Sequence, residues 1–131
     1  IPSLRALNLV HTGARDWIGT ALVQAGKLER LRLREPELGD AVVAELAKVK
    51  TIRLLDLSET RISDACVDSL LGMPALTEVH VFGTNISTAA CERLRNRGVK
   101  VLSGKLRSTQ FYGTPDDAWQ ENADPMNVGI R

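Results

Sequence analysis

Residues 54–70 read LLDLSETRISDACVDSL, and the apolar positions in this stretch fit neither one strand nor one helix. Leu55 and Leu57 alternate with polar residues, as a half-buried strand requires. Val67 and Leu70 stand three residues apart, as they would on one face of a helical turn. This change of period predicts a short strand, a turn and a helix.

The same pattern recurs along the chain at intervals of 24 residues. Four copies in step are the mark of a repeat architecture, in which no copy can bury its apolar face alone. The aligned apolar columns are Leu4, Leu28, Ile52, Leu76; Leu7, Leu31, Leu55, Val79; Leu9, Leu33, Leu57, Val81; Gly19, Val43, Val67, Cys91; and Leu22, Leu46, Leu70, Leu94.

Stacking these copies predicts an α/β solenoid with a parallel sheet on one side and helices on the other. Strands pack about 4.8 Å apart and helices about 10 Å apart, so the stack must curve with its sheet on the concave side. We expect this solenoid over residues 1–102, as four repeats and a terminal strand at 99–102. Because IPSL (1–4) parallels MPAL (73–76), which ends the third copy and opens the fourth, we also expect further repeats upstream of Ile1.

Copy three, IRLLDLSETRISD at 52–64, resembles the repeat of the leucine-rich repeat family, L-x-x-L-x-L-x-x-T-x-I-[ST]-D. The resemblance covers residues 4–102. Copy two departs from the pattern, because Pro36 stands where the others have threonine. The resemblance implies a right-handed solenoid with a concave parallel β-sheet and convex helices. It also implies protein–protein recognition or scaffolding without catalysis, and it names no partner.

The rest of the composition excludes several classes of protein. The net charge of +1 gives no general attraction to nucleic acid or membranes. No apolar run approaches the roughly 20 residues of a membrane span. Cys66 and Cys91 do not make a disulfide framework, and no secretion signal is evident, so we expect an intracellular, cytoplasmic protein.

No residue is predicted to be catalytic, to bind a cofactor or to bind a metal. His11 and His80 lie three copies apart, too far to share one ion. Asp16, Asp40 and Asp64 share a column at the predicted helix starts, where aspartate is a good N-cap. We therefore interpret them as structural and expect no enzyme activity.

Residues between the leucines should face outward on the sheet, where such solenoids bind. The alternation gives a middle column of Asn8, Arg32, Asp56, His80 and Lys100, with Arg32 and Asp56 as an exposed ion pair worth about 0–1 kcal/mol. The alternative is a solvated strand face without a ligand. The candidate partner-binding residues are six from the predicted sheet face and one tryptophan near the C-terminus: Arg30, Arg32, Arg34, Asp56, His80, Phe82 and Trp119.

Residues 103–131 contain no repeat and hold most of the aromatic residues, among them Phe111, Tyr112 and Trp119. We expect this segment either to cap the last repeat or to dock on another protein. The predicted function is a protein-binding or scaffolding module. Two alternatives remain: a structural subunit of a large ribonucleoprotein assembly, in which the arginines contact phosphate, and the substrate-recognition part of a ubiquitin-ligase adaptor. Nucleic acid is the less favoured partner.

Overall fold

The computed structural model describes residues 5–10, 13, 15 and 17–104. Within them each strand except the last is followed by a helix, as the repeat predicts. The elements are β1 (Ala6–Val10), α1 (Trp17–Ala25), β2 (Arg30–Arg34), α2 (Asp40–Leu46), β3 (Leu54–Asp56), a 3-10 turn (Asp64–Cys66) running into α3 (Val67–Leu71), β4 (Glu78–His80), α4 (Thr88–Asn96) and β5 (Lys100–Leu102).

The strands form one parallel sheet in the order β1-β2-β3-β4-β5. Leu7 is paired with Leu31, Leu31 with Leu55 and Leu55 with Val79, so the 24-residue columns are the strand register. The last interval is different: Glu78 pairs with Lys100, 22 residues later, and His80 pairs with Leu102. The prediction that Lys100 lies beside His80 was therefore wrong, because the fourth loop and helix are two residues shorter.

The hydrophobic core lies between one face of this sheet and the helices. Leu31, Leu55 and Val79 of successive strands are completely buried there, and so are Val43 and Leu70 of the helices. The core is aliphatic, as the low aromatic content of the chain predicts, and the two free cysteines are part of it. None of the helices in the described residues is long and apolar enough to cross a membrane.

The threonine column fixes the turn that follows a strand. The Thr60 hydroxyl donates to the carbonyl oxygen of Leu57 at 2.6 Å, and that of Thr84 donates to Val81 at 2.8 Å. The residue before each threonine is left-handed, with φ 64° at Glu59 and 66° at Gly83. Glycine adopts this conformation without strain, whereas glutamate does so only in a turn held by other contacts.

Asp40 and Asp64 do not cap the helices in the way we predicted, and Asp16 lies outside the described residues. Asp40 is the first residue of α2 rather than its N-cap, and its carboxylate accepts from the backbone N–H and hydroxyl of Ser63 at 2.8 and 2.7 Å. Asp64 holds Ser87 in the same way, at 2.7 Å for both bonds. In the third and fourth copies the caps are these serines: Ser63 accepts from the Ala65 N–H, and Ser87 accepts from the Ala90 N–H at the start of α4. Each aspartate thus joins one copy to the cap of the next.

Candidate protein-binding surface

The three arginines of β2 lie on the sheet face opposite the helices. In the stretch RLRLR, Leu31 and Leu33 enter the core, so alternation places Arg30, Arg32 and Arg34 on the other face. We use "arginine face" for the surface formed by the six predicted site residues of the sheet. These are Arg30, Arg32, Arg34, Asp56, His80 and Phe82; Trp119, the seventh predicted residue, lies outside the described residues.

Asp56 is the centre of this face. It pairs in register with Arg32, as predicted, and their Nε and Oδ2 atoms are 3.2 Å apart. Arg34 reaches the same oxygen diagonally, with Nε at 3.1 Å and Nη2 at 2.9 Å. The backbone N–H of Ser58 donates to the other carboxylate oxygen at 3.0 Å. Sequence reasoning found the first arginine but missed the second, because a diagonal contact depends on where a long side chain bends.

The ion pairs are buried, which corrects the prediction of an exposed pair. Asp56 is 0% exposed, Arg34 1% and Arg32 6%. The estimate of 0–1 kcal/mol for a surface pair therefore does not apply. Removing one member of a buried pair typically costs about 3–5 kcal/mol, because it leaves the other charge without compensation. Arg32→Glu would place a second buried carboxylate beside Asp56 and should therefore destabilise the fold.

His80 lies between two carboxylates, on the far side of Asp56 from Arg32. Its Nε2 is 2.6 Å from Oε2 of Glu78, and its Nδ1 is 3.9 Å from Oδ2 of Asp56, which is too long for a hydrogen bond. Because an ionised carboxylate can only accept, the short contact to Glu78 requires the imidazole proton on Nε2. The Nδ1 atom is buried and has no hydrogen-bonding partner within the described part of the chain.

Phe82 supplies the apolar part of the face. It is 8% exposed but is not a member of the core cluster between sheet and helices. Its backbone N–H donates to the hydroxyl of Ser58 at 3.1 Å, and Ser58 is itself completely buried. Ser58, Asn8 and Glu35 are buried polar residues that were not chosen as site residues from the sequence. Ser58 and Asn8 could have been found there, because they occupy the same outward columns as the arginines.

The cysteine thiols have a different environment. Cys66 and Cys91 both lie in the core, 1% and 2% exposed. Burial, assisted by the negative charge of Asp40, raises the pKa of the Cys66 thiol to about 12. A thiol that stays protonated at neutral pH is a poor nucleophile.

The comparisons with known proteins show the fold and no more. No family model matches the chain, and no curated protein matches it. Among solved structures, the chain is similar to one described as leiomodin-1 actin-binding site 2, with a TM-score of 0.60 and 16% sequence identity. The likeness covers 93% of this chain and 86% of that one. It shows an α/β fold with a parallel sheet that is shared despite little common sequence.

Proposed function

We propose that this chain is a non-catalytic protein-binding module, built as a leucine-rich-repeat solenoid, that recognises its partner through the arginine face. The observation that carries the proposal is the concentration of charged, polar and aromatic side chains on the one sheet face that the helices do not use. Solenoids of this kind present such a face as an extended binding surface. The similar structure is titled as an actin-binding site, which supports protein recognition in general and not actin in particular.

The charges of the face favour a protein partner over nucleic acid. Asp56 accepts from Arg34 and lies within ion-pair distance of Arg32, and Glu78 lies against His80, so the face is a mixed-charge surface. A phosphate backbone is bound best by an excess of positive charge, with strong salt dependence. A protein surface offers carboxylates for arginine together with apolar side chains for Phe82, and arginine and aromatic residues are enriched at the centres of such interfaces.

Affinity capture with a conservative variant tests this proposal. Arg30→Gln removes a charge from the face without introducing a carboxylate, and Arg61→Gln removes one from an exposed arginine whose side chain is 70% accessible. The full chain and both variants, each shown to be folded by circular dichroism, would be used to capture proteins from the native source. We expect proteins that the wild type and Arg61→Gln retain and that Arg30→Gln loses. Identical capture by all three chains would refute the arginine face as the binding surface.

The second candidate function is a subunit of a ribonucleoprotein assembly, and it is supported only by the three arginines of β2. The same capture distinguishes it, because nuclease treatment of the sample would abolish an RNA-mediated association and leave a direct protein contact intact. Retention after nuclease treatment supports our proposal, and loss contradicts it.

A further inference from the structure

Helix α4 and its C-cap carry arginines, Arg95 and Arg97, at two positions where earlier copies carry apolar residues. The residues of earlier copies at these positions are Val23, Ala47 and Leu71 for Arg95, and Val49 and Met73 for Arg97. All five pack in or against the hydrophobic core. A terminal unit of a solenoid needs a polar outer side, because no further copy covers it. The two arginines therefore give α4 a composition typical of a terminal helix.

Arg97 joins α4 to the end of α3. Its guanidinium group donates to the carbonyl oxygens of Leu71 and Met73, the latter at 3.1 Å. These carbonyls lie at the end of α3 and just after it, where the helix dipole favours a cation. Arg97 thus holds α4 on the preceding copy through polar contacts, where copies two and three use buried apolar side chains.

Arg95 contacts the edge of the sheet. Strand β5 is the last strand of the sheet within the described residues, and its residues Lys100 and Leu102 direct backbone hydrogen bonds to β4 and the residues beside it. Because the backbone groups of a strand alternate in direction, the N–H and C=O of Val101 point to the opposite edge. There the Nη2 atom of Arg95 donates to the carbonyl oxygen of Val101 at 2.9 Å. Glu92 pairs with the same guanidinium group, with Oε2 at 3.7 Å from Nη1.

Copy four retains the apolar surface on which a further copy would stack. Leu38 and Ile62 share a column and are completely buried, whereas Ile86, in the same column of copy four, is only half-buried. Ile86 lines a cavity of about 300 Å³ together with Val81 of the core and Ser103, the residue after β5. A strand with the leucine spacing of the repeat could place an apolar side chain in this cavity if it paired with β5.

We infer that Arg95 blocks the edge of β5 and thereby keeps a second copy of this chain from pairing a strand with it. Strands β1 to β4 pair in parallel with their leucine columns in register, so a strand of a second copy carries the pattern that fits β5. An edge strand offers its backbone groups to other chains, and natural proteins protect such edges with charged side chains. Arg95 occupies the Val101 carbonyl that the incoming strand would use. This role does not depend on the proposed function.

Analytical ultracentrifugation of the full chain tests this inference. Arg95→Leu introduces the residue that copy three has at this position and removes the donor to Val101. As the protein concentration is raised, we expect the average mass of the Arg95→Leu chain to increase to at least about twice that of the wild type, as pairing of two copies requires. Equal masses for the two chains at every concentration would overturn the inference.

Two control variants separate the hydrogen bond from the effects of charge and of an added leucine. Arg95→Lys keeps a long side chain with a charged donor, so it should sediment as the wild type does. Arg93→Leu makes the same substitution on the same helix, at a side chain that is 55% exposed and pairs with Asp68. It should also sediment as the wild type. The inference is wrong if Arg93→Leu or Arg95→Lys self-associates as strongly as Arg95→Leu.

Nuclear magnetic resonance of the wild-type guanidinium groups gives a measurement that needs no variant. Arg61 is the reference, because its side chain is 70% exposed and its Nη1 atom is 3.9 Å from the closest oxygen of Glu37. The Nη protons of Arg95 should exchange with water more slowly than those of Arg61, because a hydrogen bond protects them. Equal exchange rates would overturn the inference. If Arg95→Leu fails to fold, Arg95→Ala also removes the donor and takes its place in the ultracentrifuge, with the same expected increase in mass.

Discussion

Asp56→Ala is the substitution that tests the buried network most severely. It removes the carboxylate that Arg32 and Arg34 share and leaves two guanidinium groups in a site where Arg34 is 1% exposed. Loss of one partner from a buried ion pair costs about 3–5 kcal/mol. A domain of this size is stable by about 5–15 kcal/mol, so the variant should lose a large part of its stability. With a urea m-value near 2 kcal/mol/M, the unfolding midpoint should fall by roughly 2 M.

The chain contains a matched control for this prediction. Arg93 and Asp68 are 2.9 Å apart, the same distance as Arg34 Nη2 and Asp56 Oδ2, but their side chains are 55% and 85% exposed. Asp68→Ala should therefore change the free energy of unfolding by no more than about 1 kcal/mol. Urea unfolding followed by circular dichroism would measure both variants. Equal midpoints for Asp56→Ala and Asp68→Ala would refute the assignment of a buried, strongly coupled pair.

Three further substitutions test other parts of the structure. Leu57→Asp places a charge at a completely buried core position and should unfold the chain, which a far-UV spectrum would show; a folded variant would contradict the register. Hydrogen bonds from Ser87 lower the pKa of Asp64 below 3.8, so the carboxylate stabilises the fold above that pH and loses this effect as the pH falls through its folded-state pKa. In a plot of the urea unfolding midpoint against pH, Asp64→Asn should therefore reduce the fall in midpoint at acid pH. The same fall in the wild type and the variant would contradict the hydrogen bonds between Asp64 and Ser87. Burial raises the pKa of Cys66 from 9.0 to about 12, so the stability that the protonated thiol contributes below pH 9 should decline as the pH rises toward 12. Cys66→Ala should remove this part of the fall in the unfolding midpoint at alkaline pH. An equal fall in the wild type and the variant would contradict the buried thiol.

The strands and the core could be predicted from the sequence because each depends on the spacing of apolar residues alone. The column of Leu31, Leu55 and Val79 gives both the register and the buried face. The stop of α4 was also predictable, since Gly98 has a φ of 100° that favours glycine at a helix end.

The contacts that join neighbouring copies were harder to predict, because they depend on pairs of residues in different copies. Asp40 looked like an N-cap until the position of Ser63 was known. Lys100 pairs with Glu78 rather than His80 because the last interval between strands is 22 residues instead of 24, which a constant 24-residue period could not reveal.

The burial of the arginine face could not be predicted either. Alternation assigns a side chain to a face but does not show what covers that face. The sequence therefore identified Arg32 and Asp56 as neighbours and gave the wrong environment for them, and with it the wrong energy for their interaction.

The affinity of a captured partner for defined variants tests the central claim most directly. Titration calorimetry would compare the wild-type full chain with Arg30→Gln on the face and Arg61→Gln away from it. We predict a Kd at least about tenfold weaker for Arg30→Gln, from the loss of one charged contact, and an unchanged Kd for Arg61→Gln. Equal affinities for all three chains would contradict binding through the arginine face.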